Sequence, residues 1–389
     1  MDMERRDFLK GVGVTTVAGL AGCTGGPEAG GENGDGNGSS PAEGGAGTTE
    51  AGNGSGNQSE GTDGASGSAE VNVGMVYATG GLGDGSFNDQ AQQGIKRAQQ
   101  ELNINFDEAE PSQVSEFKTF QQSYAEETNP NYDLVSCIGF LQADALSETA
   151  PQYPDQQFQI VDSVVEESNV ASYTFKEQEG SFLAGQLAGL LTTKEFSAGA
   201  GQTNGDATVG FVGGVEGELI GRFEAGYKAG VAYANQDVEV LSSYVGDFND
   251  PAGGKETALS MYNNGADIIY HASGNTGTGV FQAAQEQGRF AIGVDRDQSQ
   301  TKSSFADVIL ASMVKRVDTA VFTCVENVVN GDFQGGSATT LGLSEEGVSL
   351  VYGQQLGGEI SSDVKSQIES ARTQIIDGGI SVPTDPSSV

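Results

Sequence analysis

Between Asp267 and Gln298 the chain reads DIIYHASGNTGTGVFQAAQEQGRFAIGVDRDQ, and few folds accommodate that order. An apolar run, Ile268, Ile269 and Tyr270, enters a loop of Gly, Ser, Thr and Asn. Helical spacing follows at Val280, Phe281, Ala283 and Ala284, and a second apolar run, FAIGV, stops at Asp295. Strand, small-residue loop, helix and strand form a βαβ unit, the building block of a parallel sheet. Ligands of open parallel sheets bind just past the carboxyl ends of the strands. Two such ends fall here, at His271–Gly277 and Asp295–Gln298, and are expected to form half of a cleft.

The same alternation extends on both sides. VNVGMVY enters the glycine-rich loop ATGGLGDGSFND and then a helix spaced by Ala91, Ile95, Ala98 and Leu102. That loop lacks both GK[ST] and GxGxxG, so its glycines are read as allowing close backbone approach to a ligand rather than as a phosphate loop. Strands are expected at Asp133–Ile138, FQIVD ending in Asp162, VASYTF, TVGFVGG, VEVLSSYVG, DVILAS and near Ser349–Tyr352. Helices are expected at 114–127, 141–152, EGSFLAGQLAGLL, 219–234, 252–263, 313–330 and 361–376. The small residues of EGSFLAGQLAG are assigned to close helix packing. At 389 residues the chain is long for one domain,. The expected fold is α/β and two-lobed, like periplasmic binding proteins, with a parallel sheet in each lobe and a hinge between. The folded body spans 70–389, with the first lobe mainly 70–195, the second mainly 205–310, and a tail crossing back between them.

The N-terminus reads as an export address. Arg5-Arg6-Asp7-Phe8-Leu9-Lys10 has the form of a twin-arginine signal, followed by a short apolar stretch,. Leu20-Ala21-Gly22-Cys23 resembles a lipobox, which makes Cys23 the lipidated first mature residue and 1–23 the signal. Residues 24–69 are Gly, Ser, Glu, Asn and Thr with almost nothing apolar, a flexible acidic linker,. Its r.m.s. span is about 35–40 Å on the flexible-coil estimate. Together these imply a lipid-anchored body on the extracellular face of the cell membrane.

Acidic residues outnumber basic ones 54 to 18, for a formal charge of −36. Such a surface opposes binding to nucleic acid phosphates. It suits a protein kept soluble in concentrated salt, and points to a halophilic source. Cys137 and Cys324 sit in apolar patterns and are read as buried thiols, and without a CxxC or Cys/His cluster neither a metal site nor a cofactor is expected,.

Seven segments, in order, resemble the basic membrane protein family: GGLGDGSFND, EGSFLAGQLAG, VGFVGGVEGELIGRFEAGYKAG, GDFNDPAGGKETA, GADIIYHASGNTGTGVF, AIGVDRDQ and ASMVKRVD. The family comprises lipoprotein substrate-binding components of ABC importers, several of which bind purine nucleosides. The resemblance implies that Phe87 and Phe248 clamp a base, that Asp295 binds ribose and that Lys315 lies beside the sugar and balances Asp295. Read directly, an ionised carboxylate suits a vicinal diol. Gly274 offers backbone at close range, Asn88 carries an amide able to read a purine edge, and Asp162 ends a first-lobe strand facing the same cleft. Asp84 is read as holding the glycine loop in shape. Many family members carry an aspartate at or near Ala78, where this chain has Tyr77-Ala78-Thr79, so the preferred base stays open.

The expected function is capture of a nucleoside, a purine for preference, and its delivery to a membrane permease by a monomer. A receptor for a sugar or other polar metabolite keeps Asp295 and Lys315 without the base clamp, and a surface sensor hands its liganded form to a signalling partner. An enzyme would have to use His271, the only histidine, for which no nucleophile or acid partner is placed by the sequence,.

Overall fold

The computed structural model describes residues 71–389. The signal 1–23 with Cys23 and the linker 24–69 lie outside the described residues. The first stretch gives β1 (Asn72–Val76), α1 (Phe87–Leu102), β2 (Asn105–Ala109), α2 (Phe117–Glu126), β3 (Leu134–Ile138), α3 (Ala143–Thr149), β4 (Gln157–Val161) and β5 (Val170–Phe175). The middle gives α4 (Glu177–Thr192), the short pair β6 (Ser197–Ala198) and β7 (Gly201–Gln202), β8 (Thr208–Gly213), α5 (Glu218–Ala234) and β9 (Glu239–Tyr244). It continues with α6 (Pro251–Asn263), β10 (Ala266–Ala272), α7 (Gly277–Gln287), β11 (Phe290–Asp295), α8 (Gln298–Thr301) and β12 (Ile309–Lys315). The tail supplies α9 (Val317–Asn330), β13 (Ala338–Leu341), β14 (Val348–Tyr352) and α10 (Ser362–Ile376).

Two six-stranded sheets result, ordered β13-β5-β4-β3-β1-β2 and β14-β12-β11-β10-β8-β9. Strand for strand the orders correspond, so β4 and β11 hold equivalent places in the two lobes. The first sheet is parallel throughout. The second is parallel except for β14, which pairs antiparallel with β12 at the edge. Helices cover both faces, which is why the central strands LVSCI and FAIGVD are buried at every position,. Cys137 and Cys324 are both buried and free.

The lobes exchange helices. Helix α4 lies within the segment read from sequence as first lobe, yet it packs on β8, β10, β12 and β14 of the second sheet. Conversely α9, which follows β12 in the chain, packs on α1, β3 and β4 of the first lobe. The small residues of α4 allow its crossing with α5: a Cβ on Gly185 would overlap the Tyr227 carbonyl, and one on Gly230 the Phe182 carbonyl. Three connections therefore pass between lobes, at Lys176, at Arg316 and at 342–347. They lie side by side, since the Lys176 amide donates to the Leu341 carbonyl (3.0 Å) and the Arg316 amide to the Gly347 carbonyl (2.8 Å).

One boundary differs from the sequence reading in a way that matters. The helix expected over 313–330 begins at Val317, and Met313 to Lys315 complete β12. Val314 pairs with Asp295 of β11, and cross-strand pairing of a largely buried run overrides the helical spacing that continues behind it,. Lys315 is thus the last residue of a buried strand and not an exposed helix lysine.

The end of β9 turns into α6 through Asp250 and Pro251. The Asp250 carboxylate accepts the Gly253 amide at 2.9 Å, and Pro251 takes the first helical turn, where no amide is needed,. Asp250→Ala is expected to lower stability by about 1 kcal/mol, the usual worth of such a cap. Urea denaturation would check it, and an unchanged midpoint would remove Asp250 from this role.

Candidate functional site

All seven residues singled out as binding residues line one partly open cavity between the lobes. Its walls come from loops past the carboxyl ends of strands in both sheets, where the topology leaves a crevice.

From the first lobe, the loop after β1 brings Phe87 and Asn88. Asp84 shapes that loop: its carboxylate accepts the amides of Ser86 (2.8 Å), Asn88 (2.9 Å) and Asp89 (3.2 Å). The first amides of α1 are so satisfied by a carboxylate of the chain itself. Burial nonetheless pushes the Asp84 carboxyl upward. The Asn88 side-chain carbonyl accepts the Ala78 amide at 3.0 Å, which leaves its NH2 as the group available to the cavity. Ala78 itself lines the wall and offers no acid there.

From the second lobe, the loop after β9 brings Phe248. The Phe248 carbonyl accepts the Thr276 amide at 3.1 Å, and the Thr276 hydroxyl donates to the Asp247 carbonyl at 2.9 Å. Gly274 has φ +56 and faces the same Phe248 carbonyl, so backbone rather than a side chain meets the cavity there,. Phe140, which the sequence reading passed over, lies just past β3 and meets Phe248 edge-on with centroids 6.3 Å apart. Its signal was available: it stands immediately beyond a strand end, between two segments that were assigned. Leu219, Ile220 and Phe223 of α5 also line the wall.

The acids stand at equivalent places. Asp162 follows β4 directly and Asp295 ends β11, and both hold left-handed backbone, at φ +70 and +64. For non-glycine residues this costs energy that the surrounding fold must offset, and such residues cluster at binding sites. Between them lies Lys315, 2% exposed. Its ammonium donates to Asp162 at 2.6 Å and lies 3.6 Å from Glu177. It also sits 5.0 Å from the Phe87 centroid, 5.3 Å from Phe175 and 5.4 Å from Phe223. The lysine expected to balance Asp295 therefore pairs first with Asp162. Burial works to lower its proton affinity, but Asp162, Glu177 and Asp295 outweigh burial and the net shift is upward. Burial pushes Asp295 up to about 6 against the pull of Lys315 and Ser86.

Ser86, also missed by sequence, donates its hydroxyl to Asp295 across the lobes at 2.5 Å. The Thr301 hydroxyl donates to the Gly85 carbonyl at 2.8 Å, and Arg296 reaches Gln93 at 3.1 Å. His271 supports this seam from behind. Its Nε2 lies 2.8 Å from the Gln298 side-chain carbonyl, which also accepts the Val294 amide. Burial lowers His271 to about 4, so it is neutral near pH 7 and positions Gln298. Among the described residues, no group of three or more His, Cys, Asp or Glu could hold a metal ion. No helix among them is long and apolar enough to cross a membrane.

A family model described as Bmp, ABC transporter substrate-binding protein PnrA-like, matches residues 71–386. The chain is 37% identical over 330 residues to a Listeria monocytogenes protein named CD4+ T-cell-stimulating antigen, covering 81% of this chain and 88% of that protein. It is 33% identical over 323 residues to the ABC transporter nucleoside-binding protein BmpA of Lactococcus lactis, covering 78% and 86%. Among solved structures, an ABC transporter solute-binding protein from Aeropyrum pernix superposes with a TM-score of 0.72 at 30% identity, covering 82% of this chain and 95% of that one.

Proposed function

We propose, from the premise that this chain belongs to the Bmp family of PnrA-like ABC-transporter substrate-binding proteins, that it captures a nucleoside, a purine for preference, between its lobes and delivers it to a membrane permease. The observation that carries this reading is one cavity combining aromatic rings from both lobes with two buried strand-end acids and one buried lysine. Phe87 and Phe248 offer faces to a planar base, with Phe140 closing the edge. Asp295 accepts hydroxyls of the ribose, and Lys315 donates beside it. Asp162 keeps a buried oxygen without a hydrogen-bond partner, an acceptor suited to a ligand that brings donors,.

Lobe closure then couples ligand to surface: the seam of Ser86, Gly85, Asp295 and Thr301 forms only when the lobes meet, and a ligand bridging them favours that state. The chain acts as a monomer, held to the extracellular face by lipid on Cys23 and tethered through 24–69, and it performs no catalysis. Binding by stacking and buried hydrogen bonds leaves little dependent on screened surface charge, which suits an acidic protein in concentrated salt.

Calorimetry against purine and pyrimidine nucleosides, free bases and ribose, in concentrated salt, tests the reading. A nucleoside is expected to bind best. Phe87→Ala is expected to weaken it by about ten- to a hundredfold, the worth of one stacked ring, and Asp295→Ala to weaken nucleoside and ribose-bearing ligands but not free base. Tight binding of a sugar with no response to Phe87→Ala would move the assignment to a sugar receptor.

A further inference from the structure

Glu177 is fully buried at the start of α4, on the first of the three connections between lobes. It does not line the cavity. Neither of its oxygens has a hydrogen-bond partner, and its one close charge is the Lys315 ammonium at 3.6 Å. Lys315 so has two carboxylates close by: Asp162, which lines the cavity, and Glu177, which follows the first connection between lobes and does not line it. Asp295 is the third buried acid acting on the same ammonium. Three ionised carboxylates crowded around one cation would leave a net negative charge in a largely buried cluster, so burial favours a proton on one of them below the raised range of Glu177,.

We propose that Glu177 is a positioning residue for Lys315, and that its proton sets on which side of the ammonium the negative charge lies. With Glu177 neutral, Lys315 is held by Asp162 at the cavity wall. With Glu177 ionised, the ammonium is drawn back toward the hinge and away from the ligand. The geometry selects Glu177 for this part because it alone of the three acids neither meets the cavity nor accepts a hydrogen bond.

The charges around it are few. Lys315 comes from β12, Asp162 from the end of β4 and Arg222 from α5, while Asp295 of β11 acts on Lys315. Tyr270 of β10 faces the same region and is held well above its ordinary value by burial, so it stays neutral. On its own helix, Glu179 is already paired with Lys176 at 3.2 Å. On α5, Glu224 is paired with Lys228 at 2.6 Å. Helix α10 packs on the other end of α4, where Gln186 donates to the Gln367 carbonyl. Burial dominates at Glu177 and pushes its carboxyl up to about 7, with Lys315 opposing.

The positioning role rests on the nucleoside reading, so the experiment has an arm without ligand. Glu177→Gln keeps the shape of the protonated acid and removes its titration. In ligand-free protein, a carboxyl whose folded value is raised binds its proton more tightly when folded. Its stabilising contribution is complete below about pH 4.5 and is lost as pH rises to about 7,. The thermal midpoint of wild type is therefore expected to fall across that window relative to Glu177→Gln. Titrated with a purine nucleoside, wild type is expected to lose affinity above pH 7 by up to about tenfold per pH unit, the limit for one linked proton. Glu177→Gln is expected to show less than half of that slope. A merely structural glutamate would leave the slope unchanged. If wild type binds no nucleoside, the proposed function fails, and coincident stability profiles would then overturn the Glu177 assignment separately. A nucleoside slope that survives intact in Glu177→Gln overturns it whatever the stability profiles do.

Discussion

Replacing Lys315 by methionine is expected to cost about 3–5 kcal/mol of folding stability, the range for removing one partner of a buried ion pair. Methionine fills much of the same volume, so the loss reports charge rather than a cavity. What remains is Asp162 without its 2.6 Å donor, and Glu177 and Asp295 without the cation that opposes their burial. The remaining acids answer by taking up protons. The folded variant then binds more protons than the unfolded chain at neutral pH, so its stability falls as pH rises. The deficit relative to wild type is expected to be small near pH 5 and large near pH 8. Denaturant titrations at both values in concentrated salt would measure it. Equal stability of the two proteins at pH 8 would mean that the acids are not held ionised by Lys315. Nucleoside binding is expected to be lost in the same variant, because the ammonium lies both at the cavity wall and at the junction of β12 with the hinge.

The second large effect concerns how Phe248 is held. Helices α6 and α7 cross at Gly279, where a Cβ would overlap the Pro251 carbonyl and press on the Lys255 amide. Both are backbone atoms of α6 and cannot swing aside as a side chain can. Gly279→Val is expected to destabilise the second lobe by roughly 1–3 kcal/mol or more, the range for overpacking a well-filled contact. It is also expected to shift the Asp247–Pro251 turn, which α7 fixes through Thr276 and its bonds to Phe248, Asp247 and Asp250. Affinity for nucleoside should then fall at least as far as in Phe248→Ala. Calorimetry on the folded fraction separates the two effects. A variant that is destabilised yet binds as wild type would show that Phe248 does not depend on this crossing.

Both predictions rest on features that the sequence conveyed unequally. The βαβ alternation, the glycine loop before Phe87 and the abrupt strand ends at Asp162 and Asp295 were legible, because each is a pattern within about ten residues. The corresponding strand orders of the two sheets follow from that alternation only once the chain is folded. The helix expected from Met313 is instructive, since helical spacing ran back into a strand whose identity was decided by its neighbour β11.

What the sequence by itself determined is the two-lobed α/β alternation and the strand ends at Asp162 and Asp295, since periodicity and strand ends are local properties; Phe87, Phe248 and Lys315 were marked by the family resemblance. Tertiary structure alone decided who pairs with whom. Lys315 meets Asp162 across 153 residues and Ser86 meets Asp295 across 209. It also decided that α4 and α9 are exchanged between lobes, and that Phe140 and Glu177 belong beside the site. Long-range pairing of charges depends on burial and distance in the folded chain, and neither is encoded in the spacing of residues along it.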